Sequence, residues 1–396
     1  MEEKGLDALV ATTPQNVFYF TEFAISMETI KSDAKSHQMF AVLNRNDPYH
    51  ITLIAPVIDI FALSYGKLPK DALRIETYGE YNVKVPSGKL GWEERGALDL
   101  CIVDGGYTMG RHQSAVKALS AVLRSEELSG KKIGIDEMGI TPENWALIKS
   151  ESVAGETLSA YDSISFVKMV KTGEEVARIK KATRIIEEAF IDVTKKITEG
   201  ITEAEIAEAL NVGVRTRGGR EALWLVGVGA KGALTDRTPT HHRLERCDLI
   251  MFDIGCWFRG YYSDTARTAV FGEPSMKQRR YYDACLAAEQ AAIAEIKPGA
   301  KASELFKVAV EAAKRSGIPD YRRHHVGHGL GIYPYDPPSI RADNLTQLEK
   351  GMVINIETPY YEMGFGGIQI EDTVVVTSDG FEYLTSLDRD LLVLGK

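Results

Sequence analysis

The chain is poor in cysteine, has no excess of positive charge and contains no long unbroken apolar run. Its four cysteines, Cys101, Cys247, Cys256 and Cys285, form no C-x-x-C pair and no zinc-finger spacing. A disulfide scaffold or a thiolate metal site is therefore not expected, and the cysteines read as buried small hydrophobes in a reducing compartment. The 47 Lys and Arg against 56 Asp and Glu leave a formal charge of −9, which gives no general attraction to nucleic acid or anionic lipid. The longest apolar-looking stretch, Ile51 to Leu63, is broken by Thr52, Pro56 and Asp59, and it is shorter than the ~18 residues of a membrane span. The Met-Glu-Glu-Lys start has no apolar signal core, so the cytoplasm is the expected location. What is present is 396 residues, 44% of them apolar, enough for two domains that each bury a core.

Residues 1 to about 165 alternate short apolar runs with helical patterns. Ala8–Ala11, Met39–Leu43 and Ile51–Ala55 read as strands and Gln113–Leu123 as an amphipathic helix, an α/β pattern with no catalytic constellation. The pattern changes near Phe166. Thr172-Gly-Glu-Glu175 and Thr202-Glu-Ala-Glu205 are capping boxes that open helices. Ile197-x-x-Gly200-x-x-x-Ala204-Glu205-Ile206 recurs 99 residues later as Ile296-x-x-Gly299-x-x-x-Ser303-Glu304-Leu305, which predicts two related halves about a pseudo-twofold axis.

Each half continues into a hairpin. Leu249–Gly255 turns near Arg259-Gly260 and returns through Asp264-Thr-Ala-Arg-Thr, and Met352–Glu357 turns at Gly364-Phe-Gly-Gly367 and returns through Gln369-Ile-Glu371-Asp-Thr. Asp253, Asp264, Glu357 and Glu371 thus occupy otherwise apolar strands, where ionised groups are costly unless a cation or a pairing group meets them. His328, between glycines in His325-Val-Gly-His-Gly-Leu-Gly, adds a neutral nitrogen donor suited to Mn, Fe, Co or Zn rather than Ca or Mg.

Asp-x10-Asp, Gly-His-Gly-Leu-Gly and Glu-x13-Glu-Asp-Thr, in that order, resemble the pita-bread metallopeptidase family of prolidases, aminopeptidase P and methionine aminopeptidases. The resemblance covers about residues 166 to 390, and Asn16-Val-Phe-Tyr-Phe-Thr-Glu resembles the creatinase-type domain that precedes it in prolidases. It implies an α/β N-terminal domain (1–165) and an α+β pita-bread catalytic domain (166–396) with a pseudo-twofold repeat. It also implies two divalent metal ions, Mn first, with Co, Zn or Fe as alternatives. Asp253 would hold one metal, His328 and Glu357 the other, and Asp264 and Glu371 would bridge both, so that a bridging water is acidified and a carbonyl polarised. Glu357 would shuttle the proton, and His324 matches a substrate or supporting histidine of aminopeptidase P. A homodimer is a further implication.

The surroundings of that metal set depart from the family. Tyr335 stands where proline-specific members carry a histidine seven residues after the metal histidine, and Asp236 stands where another precedes the first ligand by seventeen. Tyr335 can donate one hydrogen bond to an oxyanion but carries no imidazolium charge. His241 and His242 are candidates to replace the histidine absent at 236. Gln369 replaces an arginine two residues before the last glutamate, and Ala266 replaces a threonine. Arg322, Arg323 and Arg341 are candidates to receive a substrate carboxylate, and Trp224, Trp257, Tyr261, Tyr333 and Tyr360 are candidates for an aromatic wall. The expected reaction is hydrolysis of an amide C–N bond, most simply in an Xaa-Pro dipeptide, by a metal-bridging hydroxide. The alternatives are a related enzyme acting on an osmolyte-like molecule, as ectoine hydrolases or the dimethylsulfoniopropionate lyase do, and a non-catalytic binding scaffold. Gly227-Val-Gly-Ala-Lys-Gly232 matches a dinucleotide fingerprint, but no good helix former follows it. Arg322-Arg-His-His lacks the aromatic interleaving of a nucleic-acid patch.

Overall fold

The computed structural model describes residues 1–23, 37–59, 72–151, 154–234 and 238–395, and the chain divides into two compact units, Met1–Ile164 and Ser165–Lys396. In the first unit, β1 (Ala8–Ala11), β2 (Phe40–Asn44), β3 (Ile51–Pro56), β4 (Leu73–Tyr78), β5 (Lys132–Ile135) and β6 (Glu156–Ser159) form a mixed sheet in the order β4-β3-β2-β1-β5-β6. The expected helix is α1 (Ala115–Ser125), whose Val116, Leu119, Val122 and Leu123 recur at helical spacing and pack on Val10, Val42 and Ile54 of the sheet. The α/β reading of this part and the strand positions within it match the sequence pattern to within a residue or so.

In the second unit, α2 (Gly173–Thr194) and α3 (Glu203–Thr216) begin at the two capping boxes. Thr172 Oγ1 accepts from Glu175 N–H at 3.3 Å while Glu175 Oε2 accepts from Thr172 N–H at 2.8 Å, and Thr202 and Glu205 exchange the same two bonds. Strands β7 (Arg220–Val228), β8 (Leu249–Phe258), β9 (Thr265–Phe271), β10 (Gly327–Gly329), β11 (Val353–Glu357) and β12 (Glu371–Val376) run in the order β7-β8-β9-β12-β11-β10 along a nine-stranded sheet. Helices α4 (Met276–Ala294) and α5 (Ala302–Ser316) lie between its two halves in sequence.

The internal repeat is structural. Gly200 and Gly299 take φ values of 82° and 85°, the left-handed turn that glycine allows without strain. Their N–H groups donate at 2.8 Å to Leu244 O and Leu348 O, and isolated bridges join Thr202 to Arg243 and Lys301 to Gln347. Each half then covers one side of the sheet with its own helices. Ile186, Phe190, Ile206 and Leu210 meet Val226, Phe252 and Ile254, while Leu305 and Ala309 meet Ile354, Ile356 and Val374. Phe252 and Ile254 flank Asp253, and Ile354 and Ile356 alternate with Asn355 and Glu357, so strand alternation sends every polar member of these runs to the opposite face.

The cysteine expectation needs one correction: Cys101, Cys256 and Cys285 are buried, but Cys247 is exposed. It occupies a tight connection at φ 70°, with its N–H bonded to Phe271 O, where the chain turns at the surface rather than entering the core. The glycine-rich look-alike ends β7 and enters a short 3₁₀ turn, Gly229–Ala233, instead of the α-helix that a dinucleotide site needs. Among the described residues, no helix is long and apolar enough to cross a membrane.

Candidate active site

Strand register assembles the site. Asp253 on β8 pairs with Ala266 on β9, Ala266 with Glu371 on β12, and Glu371 with Glu357 on β11. Residues directly opposite one another share a face, so the four form one transverse row with a methyl group in its middle. Asp264 and Gln369 lie two residues from Ala266 and Glu371 and project to the same side. His328 on β10 pairs with Asn355, two residues before Glu357, and joins that face. A Cβ at Gly327 would come within 2.1 Å of Asn355 O, and one at Gly329 within 2.2 Å of Pro337 O. Only glycine on both sides lets the His328 backbone pass between β11 and the following loop.

The cluster is buried and carries unsatisfied polar atoms. Asp264, Glu371, Glu357 and His328 are each at most 5% exposed. His328 Nδ1 lies 2.9 Å from Gly329 O, which places the ring proton on Nδ1 and leaves the Nε2 lone pair facing Asp264 Oδ2 at 3.8 Å and Glu357 and Glu371 oxygens at 3.9 Å. His328 Nε2, Asp264 Oδ1 and Glu357 Oε1 are buried without a hydrogen-bond partner. Desolvation, followed by mutual charge repulsion, pushes the carboxyls up. Glu357 rises to about 7, with Asp253 adding to burial and Arg323 opposing it, and Asp264 and Glu371 also rise. Burial drives His328 down to about 4 against the pull of the Gly329 carbonyl, so the imidazole is neutral.

This donor set fits divalent cations. Acceptor atoms of Asp264, His328 and Glu371 lie within 4.8 Å of one another, too far apart to hydrogen-bond but close enough to share an ion with bonds of about 2 Å. Lone pairs aimed at one another in a buried space need a cation to be tolerable. The groups that orient the donors are also present. Asn355 Nδ2 donates to Glu371 Oε1 at 2.9 Å, Thr373 Oγ1 donates to Asn355 Oδ1 at 2.7 Å, and Gln369 Nε2 donates to Asp253 Oδ2 at 3.1 Å and Glu357 Oε2 at 3.3 Å. Such supporting bonds set the direction and basicity of metal donors.

The remaining candidates divide. Tyr335 is 61% exposed, yet its ring stacks on His328 with centroids 3.9 Å apart at 30°. Partial burial against the cluster, reinforced by the charges of Glu357, Glu371, Asp264 and Asp253, raises its pKa and keeps the phenol protonated. The loop that presents it is pinned by Asp336, whose N–H donates to Gly329 O at 2.9 Å and whose carboxylate lies 3.5 Å from Lys171 Nζ, both side chains at most 3% exposed. His324 is exposed and lies edge-on to His325 at 4.4 Å. The imidazole that approaches the cluster is that of His325, whose Nδ1 is 3.4 Å from Glu357 Oε1 while accepting from Gly327 N–H. Burial and the charges of His324, Arg323 and His328 lower His325 to about 3.

Gln369 is fully within the cluster, whereas Asp236 lies outside the described residues. The structure does not bring His241 or His242 to the carboxylates. His241 lines a surface cavity of about 800 Å³ with residues of α2 and α3, and His242 lies beside Asp248, with its carbonyl bonded to Glu203 N–H. The proposed aromatic wall also separates: Tyr261 bonds to Glu175, Tyr333 faces Lys168, Tyr360 bonds to Glu362, and Trp257 lies against Arg220. The side chain of Trp224 lies outside the described residues. A tyrosine outside that set, Tyr361, does reach the cluster and donates to Gln369 Oε1 at 3.0 Å.

The fold and this donor set define a metallohydrolase. The model of metallopeptidase family M24 matches residues 177–378, and the chain belongs to that family. It is 36% identical over 246 residues to the Xaa-Pro dipeptidase of Pyrococcus furiosus, covering 62% of this chain and 71% of that protein. It is 30% identical over 285 residues to the putative dipeptidase YkvY of Bacillus subtilis, covering 72% and 78%. The solved prolidase of Pyrococcus furiosus superposes with a TM-score of 0.74 at 26% identity, covering 98% of each chain.

Proposed function

We propose that the chain hydrolyses the amide bond of Xaa-Pro dipeptides with two divalent cations, Mn first, held by Asp253, Asp264, His328, Glu357 and Glu371. The observation that carries this reading is the in-register row of Asp253, Ala266, Glu371 and Glu357 with Asp264 and His328 on the same face. Bound there, the cations supply Lewis-acid polarisation of the scissile carbonyl and acidification of the attacking water.

The protein supplies the rest. Glu357, on the same face as the other donors, is placed to take the proton of the attacking water and pass it to the leaving nitrogen. Gln369 fixes the orientation of that carboxylate through Oε2. Tyr335, kept protonated on the rim of the cluster, donates to the developing oxyanion. The intact, mutually oriented donor set argues against a scaffold without catalysis.

The reading is tested by incubating Mn- or Co-loaded protein with a panel of Xaa-Pro dipeptides and following free proline. Release of proline supports it. No turnover with any metal, or turnover of ectoine-like or sulfonium compounds instead, contradicts it.

A further inference from the structure

The structure separates the three arginines that could meet an anionic ligand. Arg322 is exposed, and Arg341 pairs with Asp343 at 2.8 Å between side chains 55% and 73% exposed, a solvated arrangement that contributes little to recognition. Arg323 is different. Its side chain is 11% exposed, its guanidinium carbon lies 5.5 Å from the centre of the Tyr361 ring, and its Nη2 is 4.0 Å from Glu357 Oε2, beyond hydrogen-bond reach. Its Nε–H is buried with no hydrogen-bond partner.

The groups around Arg323 belong to the cluster. Tyr361 donates to Gln369, and Gln369 donates to Asp253 and Glu357. Gln369 is neutral by nature, whereas the Arg323 guanidinium, 4.0 Å from Glu357 Oε2, brings a permanent positive charge to this end of the site. A buried guanidinium with an unused N–H is costly unless a partner arrives. The side of a guanidinium formed by Nε and Nη2 matches the two oxygens of one carboxylate.

We propose that Arg323 is a specificity residue that receives the free carboxylate of the substrate's C-terminal residue through Nε and Nη2, and so favours dipeptides over peptides extended or amidated at that end. This rests on the Xaa-Pro dipeptide reading, and the carboxylate is the chemical feature it recognises. Arg323 is on the segment before His328, within reach of Glu357, so a carboxylate held there leaves the amide beside the cluster.

The test compares one Xaa-Pro dipeptide with its C-terminal amide in the unaltered protein, Arg323→Gln and Arg323→Lys. The ratio of kcat/KM for acid over amide should fall about 10- to 100-fold in Arg323→Gln, mainly through KM, the loss expected for one charge-assisted pair. Arg323→Lys should recover part of the ratio because it keeps the charge but not the two-point geometry, and it serves alone if Arg323→Gln does not fold. Calorimetric binding of the acid and the amide to the metal-free proteins reads the same preference without turnover. An acid-to-amide ratio unchanged by both variants, or equal losses for both substrates, overturns the proposal and leaves Arg323 as a neutralising neighbour of Glu357. If the unaltered protein cleaves neither compound, the dipeptidase reading fails, and calorimetry still decides whether Arg323 selects the carboxylate.

Discussion

Glu371 and Asp372 are neighbours on β12, yet the two faces of that strand treat a buried carboxylate in opposite ways. Burial opposes the charge of Asp372, but Arg267, with Nη2 at 2.8 Å, the neighbouring Glu289 and Thr385 Oγ1 at 2.6 Å outweigh it and pull the group down to about 2, and Arg389 Nε donates to it at 2.6 Å. Glu289 lies beside this pair, where burial and the neighbouring Asp372 push it up. Glu371 receives one Asn355 amide and faces Asp264, Glu357 and Asp253, so its pKa is raised. On one face the protein supplies the cations itself, Arg267 and Arg389. The other is complete only when a cation arrives, and this difference separates a structural acid pair from a reactive centre.

The largest expected effect breaks the open face. Glu371→Gln should lower kcat/KM by about a thousandfold or more, because the several kcal/mol of charge stabilisation supplied by the metal is lost, while the metal-free melting temperature holds or rises as repulsion is relieved. Steady-state kinetics and calorimetric melting check the two halves of that statement. Asp372→Ala should do the reverse in kind: it leaves Arg267 and Arg389 facing an empty carboxylate position and should cost about 3–5 kcal/mol of stability, read by denaturant unfolding.

A smaller effect is expected from the bond that orients Glu371. Asn355→Ala should weaken metal affinity about 10- to 100-fold, measured by competition with a chelating dye. Tyr335→Phe should lower kcat by about 10²-fold if the phenol donates to the oxyanion, with KM little changed.

The smallest effect is a pH slope. Because the raised Glu357, Asp264 and Glu371 bind protons in the folded chain at pH values where the unfolded chain has lost them, metal-free stability falls as pH rises through that window. His328 and His325, lowered to about 4 and about 3, act in the opposite sense, but only below the ordinary histidine value of about 6.5. Between pH values of about 6.5 and about 8 the melting temperature of the metal-free protein should therefore decline, and saturating Mn should remove the decline because the donors bind as carboxylates. A flat metal-free profile would show that the open face is not frustrated.

Much of this was legible in the sequence because it depends on local signals. Thr172 and Thr202 announced their helices through a hydroxyl and a glutamate three residues on, and the in-strand acids stood out against apolar neighbours. What was hidden depends on which way a side chain turns where no strand imposes alternation. His324 and His325 precede β10 in an irregular segment, so spacing from His328 favoured His324 while the fold brings His325 to Glu357. Gln369 appeared as a loss of charge, and only the cross-strand register shows its amide spanning Asp253 and Glu357. The Lys171–Asp336 pair that sets Tyr335 joins residues 165 positions apart, a separation that no local pattern encodes.

The central claim is that the face carrying Glu371 is built for cations. Dialysis of the metal-free protein against Mn, followed by metal analysis beside Glu371→Gln, tests it most directly. Two ions per chain, reduced in the variant, is the expected result; fewer than one ion per chain in the unaltered protein, or an equal count in the variant, would contradict it.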